Sequence, residues 1–313
     1  MIDFVGKKHW FFLVSAILII SGVISLAVFG LKWGIDFSSG TEINWQFEKA
    51  VDEGQLRQEL ADLGYSTASV QANKDVVGQF FIRLPTISPD QYDQLKAGLE
   101  AALATNVTES GSGISTVSAT IALATVRNTV IAVIIASLGI LLYISWAFRK
   151  MPKPFRWGIC AILALLHDLI IVVAIFSILG WAAGVEVDSL FIAGVLAIVG
   201  VSVNNIVVVF DRIRENLKRG VSGDFEVVAN CGIMESVGRS LNTGLATLFV
   251  IVALYLLGGA TIRNLILALL VGITTGIYSS LCIAGQLLVV WEKGEWSALL
   301  PWPKRTAQSE ISN

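Results

Sequence analysis

Charged residues are scarce in this sequence. They account for 15% of its 313 residues, whereas hydrophobic residues account for 55%. A water-soluble globular domain usually carries roughly 25% charged residues. The surplus of apolar side chains cannot all be hidden in one core surrounded by water. The composition therefore predicts a membrane protein, in which lipid forms part of the solvent.

Residues that bind metals or form disulfide bonds are also few. The sequence holds three cysteines and two histidines, and none of them pairs at the spacing of a zinc site. No nucleophile–base pair is evident either. The net charge of −2 and the lack of a long basic block argue against nucleic acid as a partner. The sequence therefore predicts neither an enzyme nor a protein that depends on a metal or another cofactor.

Long apolar runs, by contrast, are abundant, and about 20 such residues span a bilayer core of about 30 Å. The first run follows Lys7, Lys8 and His9, as in a signal peptide, but no cleavage motif of small residues comes after it. We therefore interpret it as a retained span. A weakly amphipathic stretch at 224–238 is expected to lie along the cytoplasmic surface before the fifth run. The six runs cover residues 10–29, 126–148, 157–182, 187–210, 241–258 and 262–291.

Residues 34–120 have a different pattern. Alternating stretches predict strands at 42–47, 66–72, 79–84 and 113–118, and amphipathic stretches predict helices at 52–63 and 88–104. The order β-α-β-β-α-β is that of a ferredoxin-like fold. The predicted fold class is an α-helical membrane protein with six transmembrane helices and an inserted ferredoxin-like α+β domain. The predicted boundaries are 1–31 for the N-terminus and first span, 32–122 for the domain, 123–293 for the other five spans and 294–313 for a tail.

Basic residues are concentrated in alternate connections between the spans. The connection at 184–188 is acidic, and the one at 258–264 holds only Arg263. Because basic loops stay in the cytoplasm, both termini are predicted to be cytoplasmic and the inserted domain extracytoplasmic. The basic residues after the second, fourth and sixth runs are Arg149, Lys150, Lys153, Arg156, Arg212, Arg214, Lys218, Arg219, Lys293, Lys304 and Arg305.

Two adjacent titratable residues, His167 and Asp168, lie near the middle of the third run. A charge at the centre of a membrane costs roughly 2.5–3.5 kcal/mol on insertion scales, so each such residue needs a reason. One interpretation is a proton or ion relay between an imidazole and a carboxylate. The other is a hydrogen bond between helices that fixes their packing. Residue type alone leaves both open.

Further polar residues lie in the fourth and fifth runs. Asn204 and Asn205 can hydrogen-bond across helices or hold water, but amides do not carry protons at ordinary pH. Arg239, near Thr243, either snorkels to the interface or points inward at a polar cluster with Asn204, Asn205 and Asp168. An arginine stays charged, so it would tune a nearby acid rather than carry the proton itself.

Two further pairs complete the candidate residues. Asp211 and Arg212, at the cytoplasmic end of the fourth run, are expected to form a solvated ion pair. Gly272 and Gly276 in the sixth run form a GxxxG pair, which lets two helices approach closely.

Four stretches are specific enough to indicate a family: residues 33–40 (with Gly34, Asp36, Phe37 and Gly40), 166–168, 204–216 and 272–280. Through them the chain resembles the SecF members of the SecD/SecF family. The resemblance implies one half of an RND-type transporter in the bacterial cytoplasmic membrane, with SecD as the other half. It also implies that the pair assists the export of polypeptides and uses the proton motive force to do so. The implied partners are SecYEG and, as further candidates, SecA, YidC and YajC.

This sequence departs from the family pattern at two positions. Ser39 stands where the family usually has a first glycine before Gly40, which requires either a negative φ or tolerance of a side chain. Asn205 stands where the family has an aspartate implicated in proton movement, while the family's arginine is retained as Arg239. Three hypotheses for coupling remain. Proton transfer rests on a carboxylate of the partner, which we prefer, or it runs through Asp168 and His167. In the third hypothesis, coupling is weak or uses another ion.

Two rival functions remain at this stage. An RND-type half-transporter for small molecules or lipids would fit the spans, but it predicts a larger external domain with an apolar pocket. A scaffold that only positions a partner predicts that the polar residues within the spans can be replaced without loss.

Overall fold

Helices long and apolar enough to cross a membrane dominate the computed structural model, which describes residues 3–73, 76–151, 153–259 and 262–295 and leaves out the side chains of 110–112. Six such helices occur within those ranges. They are α1 (Lys8–Phe29), α5 (Ala119–Ala147), α6 (Pro154–Ala183), α7 (Ser189–Arg219), α8 (Phe225–Leu257) and the pair α9 (Arg263–Ser279) and α10 (Gly285–Lys293), which a π-helical turn at Ser280–Ala284 joins. The six predicted spans are confirmed. Of the predicted tail at 294–313, only Gly294 and Glu295 lie within the described residues.

The fifth span is longer than the sequence pattern indicated. The stretch at 224–238 was expected to lie along the cytoplasmic surface before the fifth run; in the structure it is continuous with that run, because α8 extends without a break from Phe225 to Leu257. Asp224 caps its start by accepting a hydrogen bond from the backbone N–H of Glu226. No proline interrupts the stretch, and Gly232 lets the helix approach α7, since a Cβ at this position would lie 2.8 Å from the backbone N of Ile213.

The inserted domain has the predicted order of elements and is ferredoxin-like. Its elements are β1 (Gly40–Phe47), α3 (Glu53–Asp62), β2 (Ser69–Ala72), β3 (Gln79–Leu84), α4 (Pro89–Leu103) and β4 (Val107–Val117), preceded by a short helix α2 (Ile35–Ser38). The strands form one antiparallel sheet in the order β2-β3-β1-β4. The fourth strand begins six residues earlier than expected, because a bulge opposite the segment between Ile43 and Trp45 breaks its alternating pattern.

A compact apolar core lies between this sheet and its two helices. Trp45, Leu56 and Leu99 are fully buried there. The indole N–H of Trp45 donates to the hydroxyl of Tyr92 at 3.0 Å, and that hydroxyl donates to Glu109 Oε1 at 2.7 Å. Burial, with the hydrogen bond to Glu109, raises the pKa of Tyr92 to about 12. The buried polar groups of Trp45 and Tyr92 therefore have partners, as is usual in a stable core.

The chain divides into two compact units by the density of its contacts. The sheet unit comprises Leu31–Ala132 together with Leu179–Ile192, which is the connection between α6 and α7. The helical unit comprises the rest of the chain. Its core lies between α6, α7, α8 and α9–α10, where Phe148, Trp157 and Phe210 form an aromatic cluster.

Candidate functional site

A buried polar cluster surrounds Asp168 in the helical unit. The Asp168 side chain has no exposed surface, and its Oδ2 accepts hydrogen bonds from Ser202 Oγ at 2.6 Å and Ser279 Oγ at 2.8 Å. Its Oδ1 lies 3.1 Å from His167 Nδ1, and the other ring nitrogen, Nε2, lies 3.0 Å from Ser15 Oγ. These contacts connect α1, α6, α7 and α9. The sequence predicted His167 and Asp168, but the three serine partners come from distant helices and were missed.

The cluster continues along α9 toward an irregular turn. The Tyr278 hydroxyl lies 3.2 Å from Ser15 Oγ and donates to the carbonyl of Phe11 at 2.9 Å. The π-helical turn at Ser280–Ala284 begins directly after Ser279. Such turns are rare and occur often at functional sites.

Of the two glycines in the GxxxG pair, Gly272 is the one that allows α9 to pack closely against α7. A Cβ at Gly272 would lie 2.2 Å from Ile198 Cδ1, and a Cβ at Gly276 would lie 3.4 Å from Ser202 Oγ and 3.7 Å from Asp168 Oδ2. Close approach at Gly272 is part of the packing of α9 on α7, and Gly276 lies beside the Asp168 cluster.

The other predicted site residues do not join this cluster. Asn205 is buried, but Asn204, Arg239 and Thr243 are exposed on the helical unit. No hydrogen bond or ion pair joins Arg239 or Asn204 to any side chain in the part of the chain that the structure describes. The inward orientation of Arg239 toward Asp168 is therefore not the one observed.

The charged residues at the end of the fourth span are paired differently from the expectation. Asp211 pairs with Arg214, and Arg212 pairs with Glu215 at 2.6 Å. The expected Asp211–Arg212 pair is wrong because neighbours in sequence do not face each other on a helix, whereas residues three apart do. Both observed pairs are substantially exposed and contribute little to stability.

Within the sheet unit, the segment 33–40 is bound to the connection between α6 and α7. The backbone N–H of Gly34 donates to the carbonyl of Val187 at 2.7 Å, and Val187 N–H donates to Lys32 O at 2.8 Å. Asp36 Oδ2 accepts from the backbone N–H of Ser189 at 2.8 Å, at the start of α7. A carboxylate is stabilised there by the free N–H groups and the dipole of the helix. We call this set of contacts the strap.

Ion pairs add to the strap. Arg83 on β3 pairs with Glu186 and, at 2.7 Å, with Glu42 on β1, while Lys32 lies 3.5 Å from Glu186. Burial by itself would lower the pKa of Arg83, but the hydrogen bonds to Glu186 and Glu42 outweigh it and raise the pKa. The acidic connection that the sequence showed at 184–188 is thus balanced by cations of the sheet unit.

Ser39 has a backbone conformation that is rare for any residue other than glycine. Its φ is +61° and its ψ is 165°, and Gly40 beside it has φ +135°. A negative φ at Ser39, one of the two conditions under which serine can replace the family's glycine, is therefore not observed. Backbone strain of this kind costs about 1–3 kcal/mol and persists only where the surroundings impose it. The hydrogen bond from Ser39 N–H to Ile35 O, at 2.9 Å, is part of those surroundings.

A second charged cluster, which sequence analysis missed, joins three ends of the helical unit. Lys8 pairs with Glu226 at 2.8 Å and with Glu295 at 2.9 Å, and Lys293 pairs with Glu226 at 2.6 Å. The start of α1, the start of α8 and the end of α10 are therefore on the same side of this unit. The hydrogen bond to Lys8 lowers the pKa of Glu295.

Metal-binding side chains are not grouped in any described part of the chain. Within those ranges, no three His, Cys, Asp or Glu side chains lie close enough to hold a metal ion. The side chains around Asp168 are an imidazole, a carboxylate and hydroxyl groups, which can form hydrogen bonds and exchange protons.

Comparisons with known proteins give a consistent result. Residues 99–294 match the model of the family "Protein export membrane protein SecD/SecF, C-terminal", and residues 24–51 match that of the "SecD/SecF GG Motif". The chain is 43% identical to a protein translocase subunit SecF of Thermobaculum terrenum, over 95% of this chain and 96% of that one. It is 36% identical to a protein translocase subunit SecDF of Bacillus subtilis, over 94% of this chain but 38% of that one.

A solved structure shows the same architecture. The crystal structure of SecDF from Thermus thermophilus, described as a translocon-associated membrane protein, matches with a TM-score of 0.81 and 32% identity. The match covers 93% of this chain and 39% of the SecDF chain. The chain thus spans about two fifths of the SecDF proteins and nearly all of the SecF protein.

Proposed function

This chain belongs to the SecD/SecF family of protein export membrane proteins, and from that premise we propose that it is the SecF half of a SecDF complex driven by the proton motive force. It is a multi-pass membrane protein and a protein translocase subunit. In the proposal, SecD supplies the other half. The complex completes the export of polypeptides that SecA has driven through SecYEG, and YidC and YajC are further candidate partners.

The observation that carries this proposal is the exposure of Asn204. Asn204 lies about halfway along α7 and has no hydrogen-bond partner among the side chains that the structure describes. Lipid offers an amide no partner, and an unsatisfied polar group in hydrocarbon costs several kcal/mol. A second membrane half that covers this surface removes that cost. Exposed Arg239 and Thr243 on the neighbouring span α8 support the same conclusion.

The surroundings of Asp168 favour a proton path through the partner. Both serine hydroxyls donate to the same carboxylate oxygen, Oδ2. The Asp168 carboxylate is therefore already engaged by hydroxyl donors of this chain, as in a hydrogen bond that fixes helix packing. Arg239, exposed and without an acidic partner in the described ranges, is suited to face a carboxylate of SecD. In this proposal, Asn205 is part of the polar surround and carries no proton.

The orientation of the chain is part of the proposal. Basic residues such as Arg149 and Arg156 stand at the connection between α5 and α6, and this supports a cytoplasmic location for the connection. The ion pairs that join Lys8, Glu226 and Lys293 support a location of the start of α1 and the end of α10 on the same side of the membrane. We therefore assign cytoplasmic termini and an extracytoplasmic domain at 32–122.

The test is export into inverted membrane vesicles that contain this chain, SecD and SecYEG, with and without a proton gradient. We expect Arg239→Ala to remove most of the gradient-dependent export. The separate variant Arg239→Lys should retain part of it. Arg127→Ala is the matched control, since Arg127 is also an exposed arginine of a spanning helix. We expect His167→Ala to retain coupling of export to the proton gradient. We also expect coupling in the chain that carries Asn205, without the substitution Asn205→Asp.

The opposite pattern would refute the proposed proton path. If His167→Ala abolished coupling while the carboxylate of SecD could be neutralised without effect, the path would run through Asp168. Failure of the chain to co-purify with SecD and SecYEG would count against the whole proposal.

A further inference from the structure

Helix α5 carries an exposed apolar stripe that ends beside a cation. Its members follow one another at intervals of three or four residues, so they share one side of the helix, and each is at least 54% exposed: Ile135, Leu138, Leu142 and Trp146. The helix rises about 16 Å between the first and the last of them, which is close to half of a bilayer core of about 30 Å. Arg149 lies just beyond the end of the helix, and its guanidinium carbon is 4.6 Å from the centroid of the Trp146 ring. We call these four apolar side chains the α5 stripe.

The connection that follows α5 is basic and is fixed to the core of the helical unit. Met151 is only 6% exposed and belongs to the same apolar core as Phe148, and its backbone N–H donates to the carbonyl of Phe148 at 2.9 Å. Arg149, Lys150 and Lys153, on either side of Met151, are exposed. Because the buried methionine holds the connection in place, the three cations remain at the surface, at the end of the stripe.

These three cations have no counter-charge within the described part of the chain. No carboxylate there forms an ion pair with Arg149, Lys150 or Lys153, whereas the next basic residue, Arg156, pairs with Glu292 at 2.9 Å. The sequence gives the reason, because it contains no aspartate or glutamate at positions 110–167. The connection therefore presents an excess of positive charge that an anion from outside this chain can neutralise.

The basic residues at the end of α7 behave differently. Arg212 and Arg219 both pair with Glu215, and Arg214 pairs with Asp211. Both basic groups lie on the proposed cytoplasmic side, where an excess of lysine and arginine is usual. Location alone therefore explains why basic residues occur at both places, but it does not explain why the arginines of one place have acidic partners and the cations of the other have none.

We infer that the α5 stripe and the cations at 149–153 bind an anionic phospholipid of the cytoplasmic leaflet. The acyl chains lie along the stripe, and the phosphate lies at Arg149 and Lys150. One molecule with an apolar chain and an anionic head matches a stripe that spans about one leaflet and ends in cations. A free phosphate ion or a nucleic acid would leave the stripe unused. The inference goes beyond the proposed function and takes from it only the cytoplasmic side of this connection.

The surface that we assign to SecD is elsewhere on the helical unit. That surface lies on α7 and α8, at Asn204 and Arg239, where exposed polar groups require a partner other than lipid. The α5 stripe consists of side chains that lipid accommodates, with Trp146 at the end where tryptophan favours the interface between membrane and water. The two surfaces therefore call for different partners.

The test is native mass spectrometry of the purified full chain with phosphatidylglycerol or phosphatidylcholine of the same acyl chains. We expect phosphatidylglycerol to be retained more strongly. Because one cation changes the affinity for an anionic lipid about fivefold, Arg149→Gln combined with Lys150→Gln should weaken phosphatidylglycerol binding about 25-fold. The matched control, Arg212→Gln combined with Arg219→Gln, also removes two positive charges and should leave this binding nearly unchanged.

A further variant tests the stripe separately from the cations. Leu142→Gln places an amide on an exposed position of the stripe, so it should weaken the retention of both lipids and leave the preference for phosphatidylglycerol intact. The melting temperature of each variant shows whether the fold is retained. In membranes that also contain SecD, a photo-crosslinking amino acid at Leu142 should capture lipid.

Four results would overturn the inference. They are equal retention of the two lipids, equal losses in the two double variants, displacement of phosphatidylglycerol by excess inorganic phosphate, and capture of SecD instead of lipid from position 142. Lipid retention is measured on the chain alone, without SecD or a proton gradient, so its failure leaves the proposed function untouched. Export that is unaffected by removing the chain refutes the proposed function and leaves the lipid site standing.

Discussion

Replacing Asp168 by alanine removes the acceptor of three hydrogen bonds in the core of the helical unit. Ser202 and Ser279 lose their partner at Oδ2, and His167 loses its partner at Oδ1. We expect this variant to be clearly destabilised, because it leaves buried donors without their acceptor.

The magnitude follows from the number of bonds. Hydrogen bonds between membrane helices contribute on average about 0.6 kcal/mol each and at most about 1.7 kcal/mol. Asp168→Ala should therefore lower the free energy of unfolding by about 2 kcal/mol, with an upper bound of about 5 kcal/mol. Ser279→Ala should cost about 0.6 kcal/mol, and the double-mutant cycle of the two residues should give a coupling of the same size.

Equilibrium unfolding of the purified chain in mixed micelles, followed by circular dichroism, measures these differences. Asp62→Ala is the control, because Asp62 is an exposed carboxylate at the end of α3 and should change stability by less than about 0.5 kcal/mol. A loss below about 0.5 kcal/mol for Asp168→Ala, or no coupling to Ser279, would refute the view that the cluster holds four helices together.

Three further changes test other parts of the structure. Ser39→Gly should raise the free energy of unfolding by about 1 kcal/mol in denaturant titrations, because φ +61° is strained for serine; no gain would contradict that strain. Gly272→Leu should lower the melting temperature, because a Cβ at this position meets Ile198. Gly139→Leu is the control and should leave the melting temperature nearly unchanged, because a Cβ there meets nothing within 4 Å. Equal effects of the two substitutions would argue against close packing at α9. The pKa of Tyr92 is raised in the folded state to about 12, so its contribution to stability is present below pH about 10 and is lost as the pH rises to about 12. Tyr92→Phe should remove this loss from the free energy of unfolding measured against pH. An unchanged dependence on pH would contradict the raised pKa.

The fold could be predicted from the sequence to a large extent, because its signals are local. The strand at Gln79–Leu84 and the helix at Pro89–Leu103 follow from alternation and from a capping box at Ser88. The bulge in β4 and the unbroken α8 were missed, because register irregularity and helix continuity depend on neighbouring elements.

The candidate site could be predicted only in part. An acid in an apolar run is conspicuous, so Asp168 and His167 stood out. Ser202 and Ser279 did not, because serines are common in spanning helices and their relation to Asp168 arises only when α6, α7 and α9 pack. The exposure of Arg239 also depends on packing, which residue type does not reveal.

The strap has a consequence for how the protein is made. Asp36 and Ser189 are separated by 153 residues, and at 5–20 residues per second a ribosome needs roughly 8–30 seconds to cover that distance. During that time the segment 33–40 has been synthesised but its binding partner has not. The sheet unit is therefore completed only once the fourth span has begun, which ties the maturation of the inserted domain to the timing of membrane insertion.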